Sequence, residues 1–238
     1  MNLNITYIYH DCFIISLNDR VILFDYSEIL SEKQKQIVIN KIKNKNLIVL
    51  ITHSHRDHFS KDAFSLSNYV KDFKCIVSED VLKLCGECAD LCKVVKEGDT
   101  TNIGNVHIRV YGSSDLGVSY LIEVKKVKIY FSGDNTDWRR ASLPEEFNKV
   151  IKNSFETVVN KLKRNEVHVD ILFANLCVEC ERHGGIDVLC GMLKPRFLIP
   201  MHLSGNVKIL KTYSDFLKKL ATNVFIYEKS GDTMKVKL

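Results

Sequence analysis

Proline is scarce in this 238-residue chain: three residues, alongside eleven glycines and a single tryptophan. Average usage is about 5% proline and about 7% glycine. A loop-dominated fold is therefore excluded, and long regular elements are expected. Long apolar runs are missing too. The densest, Leu47–Ile51, is five residues long, where a membrane span needs about 20. The first residues carry no basic stretch followed by an apolar core, so no export signal is read. The expectation is a cytoplasmic protein with no membrane partner and with its eight cysteines as reduced thiols. Charge of one sign is weak as well: 34 Lys+Arg against 29 Asp+Glu leaves +5. The lysines fall on helical patterns at 33–45, 149–164 and 208–219, as on solvated helix faces. They form no basic tract with interleaved aromatics, which disfavours nucleic acid as a partner. Nothing in the sequence fixes an oligomeric state.

What is present is ordinary for a soluble protein: 45% hydrophobic and 26% charged residues. A chain of this length buries about 70–75% of its unfolded surface, enough for one large core. Leu3, Ile5, Tyr7 and Tyr9 alternate, which predicts a strand. Cys12–Leu17 and Arg20–Asp25 flank Asn18-Asp19, a hairpin signal. Ser31 is placed to cap a helix through Ile42. Leu47–Thr52 and Phe73–Val77 read as buried strands, and Ser78 as the cap of a helix reaching Cys92. Strands follow near 93–96, 105–111, 117–124 and 126–132. A helix spans Leu143–Lys163, with Phe147, Val150, Ile151, Phe155, Val158, Val159 and Leu162 inward. The remainder reads as strand 169–174, helix 185–193, strand 197–200, helix 207–220 and closing strands 224–227 and 234–238. Each half runs strands first and then strand–helix alternation, which suggests two similar mixed sheets.

The chemistry concentrates in His53-Ser54-His55-Arg56-Asp57-His58, directly after the strand Leu47–Thr52. Eight histidines in 238 residues average one in thirty, so four ligand-type residues in six is no accident of composition. In extended backbone, His53 and His55 project to the same side. Asp57 and His58 lie on the next turn and can face a second point. Imidazole and carboxylate together suit first-row divalent metals. Two such metals about 3.5–4 Å apart can ionise a bridging water near neutral pH.

This hexapeptide resembles the H-x-H-x-D-H signature of the metallo-β-lactamase superfamily. Further elements follow in the same order. Phe131-Ser132-Gly133-Asp134 resembles its strand–Gly–Asp element, and Ile199-Pro200-Met201-His202 its last histidine element. Tyr9-His10-Asp11-Cys12-Phe13 is similar to the opening of the branch that contains ascorbate-6-phosphate lactonase-like enzymes. The resemblance covers residues 1–238 as one domain. It implies an α/β (α+β) fold, a four-layer αββα sandwich of two mixed β-sheets with outer helices. It implies a metal-dependent hydrolase with a dinuclear centre and a bridging hydroxide, acting on a small-molecule ester, lactone or phosphoester. Two divalent transition metals are implied, zinc first, with iron or manganese as alternatives. His53, His55, Asp57, His58, Asp134 and His202 are the implied ligands. Asp57 would also shuttle the proton, and Asp25, after Phe24, would hydrogen-bond a ligand histidine and fix its tautomer.

One element departs from the family. A further histidine is expected before the strand at 117–124, and Val110–Gly117 has none. Either Asp115 replaces it, which would favour iron or manganese, or one metal has fewer protein ligands. Asp115 could equally just shape a turn. His10 and His183 are candidate pocket residues, His183 as a proton donor to the leaving group. Arg139 and Arg140, after Trp138, could hold an anionic group, with Trp138 walling the pocket. Cys85, Cys88 and Cys92 share a helical stripe with Val81, Leu84 and Leu91 and read as core. Cys177 and Cys180 form a C-x-x-C pair that could be redox-active or ligate a metal. The alternatives to a small-molecule hydrolase are a nuclease or phosphodiesterase of the same fold and a non-enzymatic metal-binding protein.

Overall fold

The computed structural model describes residues 2–85, 90–165 and 167–238. The chain forms two compact units, one of the residues up to Val95 with Tyr227–Leu238, the other Lys96–Ile226.

The first unit holds a seven-stranded mixed sheet. Its strands are β1 (Asn2–Tyr9), β2 (Cys12–Leu17), β3 (Arg20–Phe24), β4 (Asn46–Ile51), β5 (Asp72–Ser78) and β6 (Lys93–Val95). The last strand of the chain, Thr233–Lys237, pairs antiparallel with the outer side of β1. The β1–β2 and β2–β3 pairs are antiparallel, joined by two-residue connections at His10-Asp11 and Asn18-Asp19. From β3 onward every pair is parallel. Helix α1 (Glu32–Ile42) begins at Ser31 with a complete capping box to Gln34, which satisfies two otherwise orphaned N-terminal donors. It buries Val38 and Ile42 in a core with Ile14, Leu23, Val49 and Ile51. A 3-10 segment, Lys61–Tyr69, and a short helix α2 (Glu79–Leu84) follow β4 and β5.

The second unit repeats the plan. It runs β7 (Thr100–Ile103), β8 (Val106–Gly112), β9 (Val118–Val124), β10 (Val127–Phe131), helix α3 (Glu145–Arg164), β11 (Ile171–Asn175), α4 (Ile186–Leu193), β12 (Phe197–Met201), α5 (Ile209–Thr212), α6 (Ser214–Leu220) and β13 (Asn223–Val224). The sheet order is β13-β12-β11-β10-β9-β8-β7. Pairs β7–β8, β8–β9 and β9–β10 are antiparallel, and β10–β11, β11–β12 and β12–β13 parallel. Each sheet thus passes from antiparallel hairpins to parallel crossovers. Its functional candidates follow the carboxyl ends of the parallel strands, where open α/β sheets bind ligands. Among the described residues, no helix is long and apolar enough to cross a membrane.

Several elements differ from their sequence signals. The helix after Ser78 ends at Leu84 and does not reach Cys92; Cys85 takes φ −134°, ψ 73°, and Gly86 follows in the sequence. Cys85 and Cys92 are buried, as expected of core, while Leu84 and Leu91 are exposed and do not share that face. Cys88 lies outside the described residues. Strand β7 carries no apolar alternation and sits at the sheet edge, where one face of pairing suffices. Phe147 and Val150 are 60% and 65% exposed, so only the later part of α3, at Phe155, Val158 and Leu162, is core. The helix expected over 207–220 breaks at Tyr213 (φ −96°, ψ 9°), whose ring packs on His183. Not every cysteine is reduced: Cys177 and Cys180 form a disulfide, and Cys85 is also disulfide-bonded. The tight turn at 177–180 brings the two Cα atoms to 5.3 Å, within bridging range.

Candidate metal centre

In the first unit the site grows from the ends of β3 and β4. Asp25 follows β3 with φ 43° and is held by its N–H donating to the Leu50 carbonyl. Its carboxylate is fully buried and takes three hydrogen bonds. Thr52 donates its backbone N–H to Oδ1 and its hydroxyl to Oδ2, each at 2.8 Å. His58 Nδ1 lies 2.9 Å from Oδ2. Burial raises the Asp25 pKa, and its hydrogen bond to His58 works against that rise.

These contacts determine two tautomers. A carboxylate only accepts, so His58 carries its proton on Nδ1 and its lone pair on Nε2. The single hydroxyl proton of Thr52 goes to Asp25. At the 3.0 Å contact between Thr52 Oγ1 and His53 Nδ1 the imidazole therefore donates, and His53 also has its lone pair on Nε2. His53 Nε2 lies 3.0 Å from His55 Nδ1. One carboxylate thus leaves both buried imidazoles of the loop with a lone pair on Nε2, the form a metal ligand requires. The loop is pinned from outside as well. The Ser54 N–H donates to Asp80 Oδ2 at 2.7 Å, and the Glu28 N–H to the Arg56 carbonyl at 2.9 Å.

His10 and Asp11 make the β1–β2 connection, and both are buried, at 1% and 0% exposure. His10 has φ 48°, an uncommon conformation for a residue with a side chain. Its Nε2 lies 3.3 Å from Asp57 Oδ2. That contact, more than any other, holds the Asp57 carboxyl below its ordinary range. His10, Asp57 and His58 each place a possible ligand atom within 4.8 Å of the others.

In the second unit, Asp134 stands after β10 and His202 after β12, with His202 Nε2 3.4 Å from Asp134 Oδ1. Asn175, at the end of β11, donates from Nδ2 to Asp134 Oδ1 at 3.2 Å. The Trp138 ring lies 4.9 Å from that of His202, and its Nε1–H donates to the Asp134 carbonyl. Ser114 Oγ accepts from the Thr136 N–H at 2.7 Å, which ties the turn after Asp134 to β8 and β9. Asp115 is exposed, and its N–H donates to Ser113 Oγ. Among the described residues it joins no cluster of metal-ligand type.

Arg139 is committed: its guanidinium grips Asp137 through two hydrogen bonds of 2.8 and 2.7 Å and reaches Glu181 at 2.8 Å. Arg140 Nε is buried and, among the described residues, has no hydrogen-bond partner. His183 sits edge-on to Tyr213 and Phe216, at 5.1 and 4.8 Å. It lies in a run of left-handed residues, Arg182 (φ 51°), His183 (52°), Gly184 (81°) and Gly185 (77°). A Cβ on Gly185 would come within 2.6 Å of the Phe155 ring. Sequence reasoning did not find Thr52, Asp80, Ser114 or Asn175. Three of them stand at or just past a strand end or in a helix's first turn, the one signal that could have marked them.

The family model of the beta-lactamase superfamily domain matches residues 4–150. That is well over half of the chain, and the chain belongs to this family. No curated protein matches it in sequence. Among solved structures, Igni18, a metallo hydrolase from the archaeon Ignicoccus hospitalis, superposes with TM-score 0.70 at 13% identity, covering 100% of both chains. A protein described as a metal-dependent hydrolase from Parabacteroides distasonis gives 0.66 at 20% identity, covering 96% of this chain and 94% of its own. CmlA, a diiron β-hydroxylase from Streptomyces venezuelae, gives 0.63 at 13% identity, covering 99% of this chain and 54% of its own. At these identities the likeness is one of fold: two mixed sheets, each with its helices, of the metallo-β-lactamase type.

Proposed function

We propose that the protein is a metal-dependent hydrolase of small-molecule esters, lactones or phosphoesters, and that His53, His55, Asp57, His58, Asp134 and His202 hold two divalent metals. One observation carries the reading. The Asp25–Thr52 network leaves both buried imidazoles of the loop with Nε2 lone pairs, a preparation that metal binding needs and a structural histidine does not. The donor set of imidazole and carboxylate fits zinc, with iron or manganese as alternatives. Family membership and hydrolase neighbours of the same fold support hydrolysis.

When bound, the metals would supply an ionised water near neutral pH and polarise the substrate oxygen. The chain's own residues do the rest. Asp25 holds His58 in place by direct contact, and His53 through Thr52. Asp57, partly exposed and kept ionised by His10, accepts the proton of the attacking water and returns it to the leaving group. Trp138 backs His202 and forms an apolar wall. Arg140 and His183 are the remaining side chains assigned to substrate, whereas Arg139 braces Asp137 and Glu181. The test is a panel of lactone, thioester and phosphodiester substrates with the metal-loaded protein. Turnover that disappears in His55→Ala supports the reading, and no turnover with any metal sinks it.

A further inference from the structure

Asp11 is a charged group that the contacts described so far leave unexplained. Its side chain is 0% exposed, yet among the described residues neither carboxylate oxygen has a hydrogen-bond partner. A buried carboxylate without donors is costly, and proteins avoid it unless a cation meets the group. The neighbouring carboxylate shows the contrast: Asp25, equally buried, takes three hydrogen bonds. Asp11 also belongs to a two-residue hairpin connection, a place that normally faces solvent and favours Asn-Gly. Here the connection is His10-Asp11, both residues are buried, and His10 is held at φ 48°. Asp11 and His58 each offer a possible ligand atom within 4.8 Å of the other.

We propose that Asp11 is itself a metal ligand, the hard oxygen donor that completes the coordination of the His53–His58 loop, and that Asp115 is not. The hairpin connection is then built to deliver a carboxylate into the centre. This rests on the metal reading above. An added carboxylate makes the donor set harder and shifts preference from zinc toward manganese or iron.

The experiment is a titration of metal-free protein with Mn²⁺ and with Zn²⁺, for the wild type, Asp11→Asn and Asp115→Asn, read as stoichiometry and affinity. Asp11→Asn should lose one equivalent of Mn²⁺ or bind it at least about ten-fold more weakly, with a smaller loss for Zn²⁺, while Asp115→Asn matches the wild type. Wild-type binding in Asp11→Asn overturns the proposal. A crystal structure of wild-type protein loaded with Mn²⁺ needs no variant. An Asp11 oxygen about 2.2 Å from a metal supports the assignment, and an Asp11 carboxylate away from every metal overturns it. If the wild type binds no metal at all, the metal reading falls first. If it binds metal without Asp11, only this inference falls.

Discussion

Replacing Asp25 with asparagine exchanges one oxygen of a buried carboxylate for an amide nitrogen at constant shape. The amide oxygen can keep the 2.8 Å bond from the Thr52 N–H. The amide N–H₂ then occupies the place of Oδ2, where the Thr52 hydroxyl and His58 Nδ1–H both donate. Donor would face donor at two contacts. Relief requires His58 to move its proton to Nε2 and Thr52 to turn its own proton toward His53 Nδ1, which forces the second proton to Nε2 as well. Both nitrogens proposed to bind metal are then blocked. Two hydrogen bonds to a charged acceptor are worth about 1.5–3 kcal/mol each, and relief from burying the charge offsets part of this. The expected loss in metal-free stability is about 2–4 kcal/mol, read as a lower urea midpoint at unchanged slope. Metal affinity should fall about 10- to 100-fold, or about 1.4–2.8 kcal/mol, by calorimetric titration of metal-free protein with Zn²⁺. An Asp25→Asn protein that folds and binds Zn²⁺ as tightly as the wild type would refute the tautomer argument.

Gly185→Ala should destabilise by about 2–4 kcal/mol, since φ 77° strains any side chain and its Cβ would overlap the Phe155 ring; an unchanged melting temperature would count against the packing described. Cys12 and Cys190 are buried, and burial raises both thiols, Cys190 to about 12. Neither should react with a thiol reagent at pH 8 until the protein unfolds, and peptide mapping that found them labelled in the native state would contradict their placement. His10 lowers the Asp57 pKa, so this pair's contribution is present above the unfolded value of about 3.9 and is lost as pH falls through the lower folded one. Metal-free wild type should therefore lose urea stability more steeply than Asp57→Asn below about pH 4, and parallel profiles would show that the contact adds nothing.

The parts legible in the sequence are those where local chemistry and tertiary environment agree. The hairpin at Asn18-Asp19, the Ser31 cap and the strand after Lys45 carry signals strong enough to survive packing. The loop His53–His58 stands out because four of its six residues are of metal-ligand type. What was not legible depends on distant partners. Thr52 is a common strand-end residue until Asp25 is seen to take its hydroxyl proton. Asn175 gains meaning only when parallel pairing places β11 beside β10, from which Asp134 follows. Strand β7 has no apolar face because it closes an edge. Phe147 and Val150 keep the period of a buried helix and are nonetheless exposed. The break at Tyr213 comes from ring packing against a loop some thirty residues earlier.

The most direct test of the central claim is the metal content of the protein purified without oxygen and without chelators, measured by elemental analysis for the wild type and His55→Ala. A dinuclear centre predicts two equivalents of zinc, iron or manganese per wild-type chain and a clear loss in His55→Ala. A wild type that carries no transition metal, and takes up none when offered zinc, iron and manganese, would contradict it.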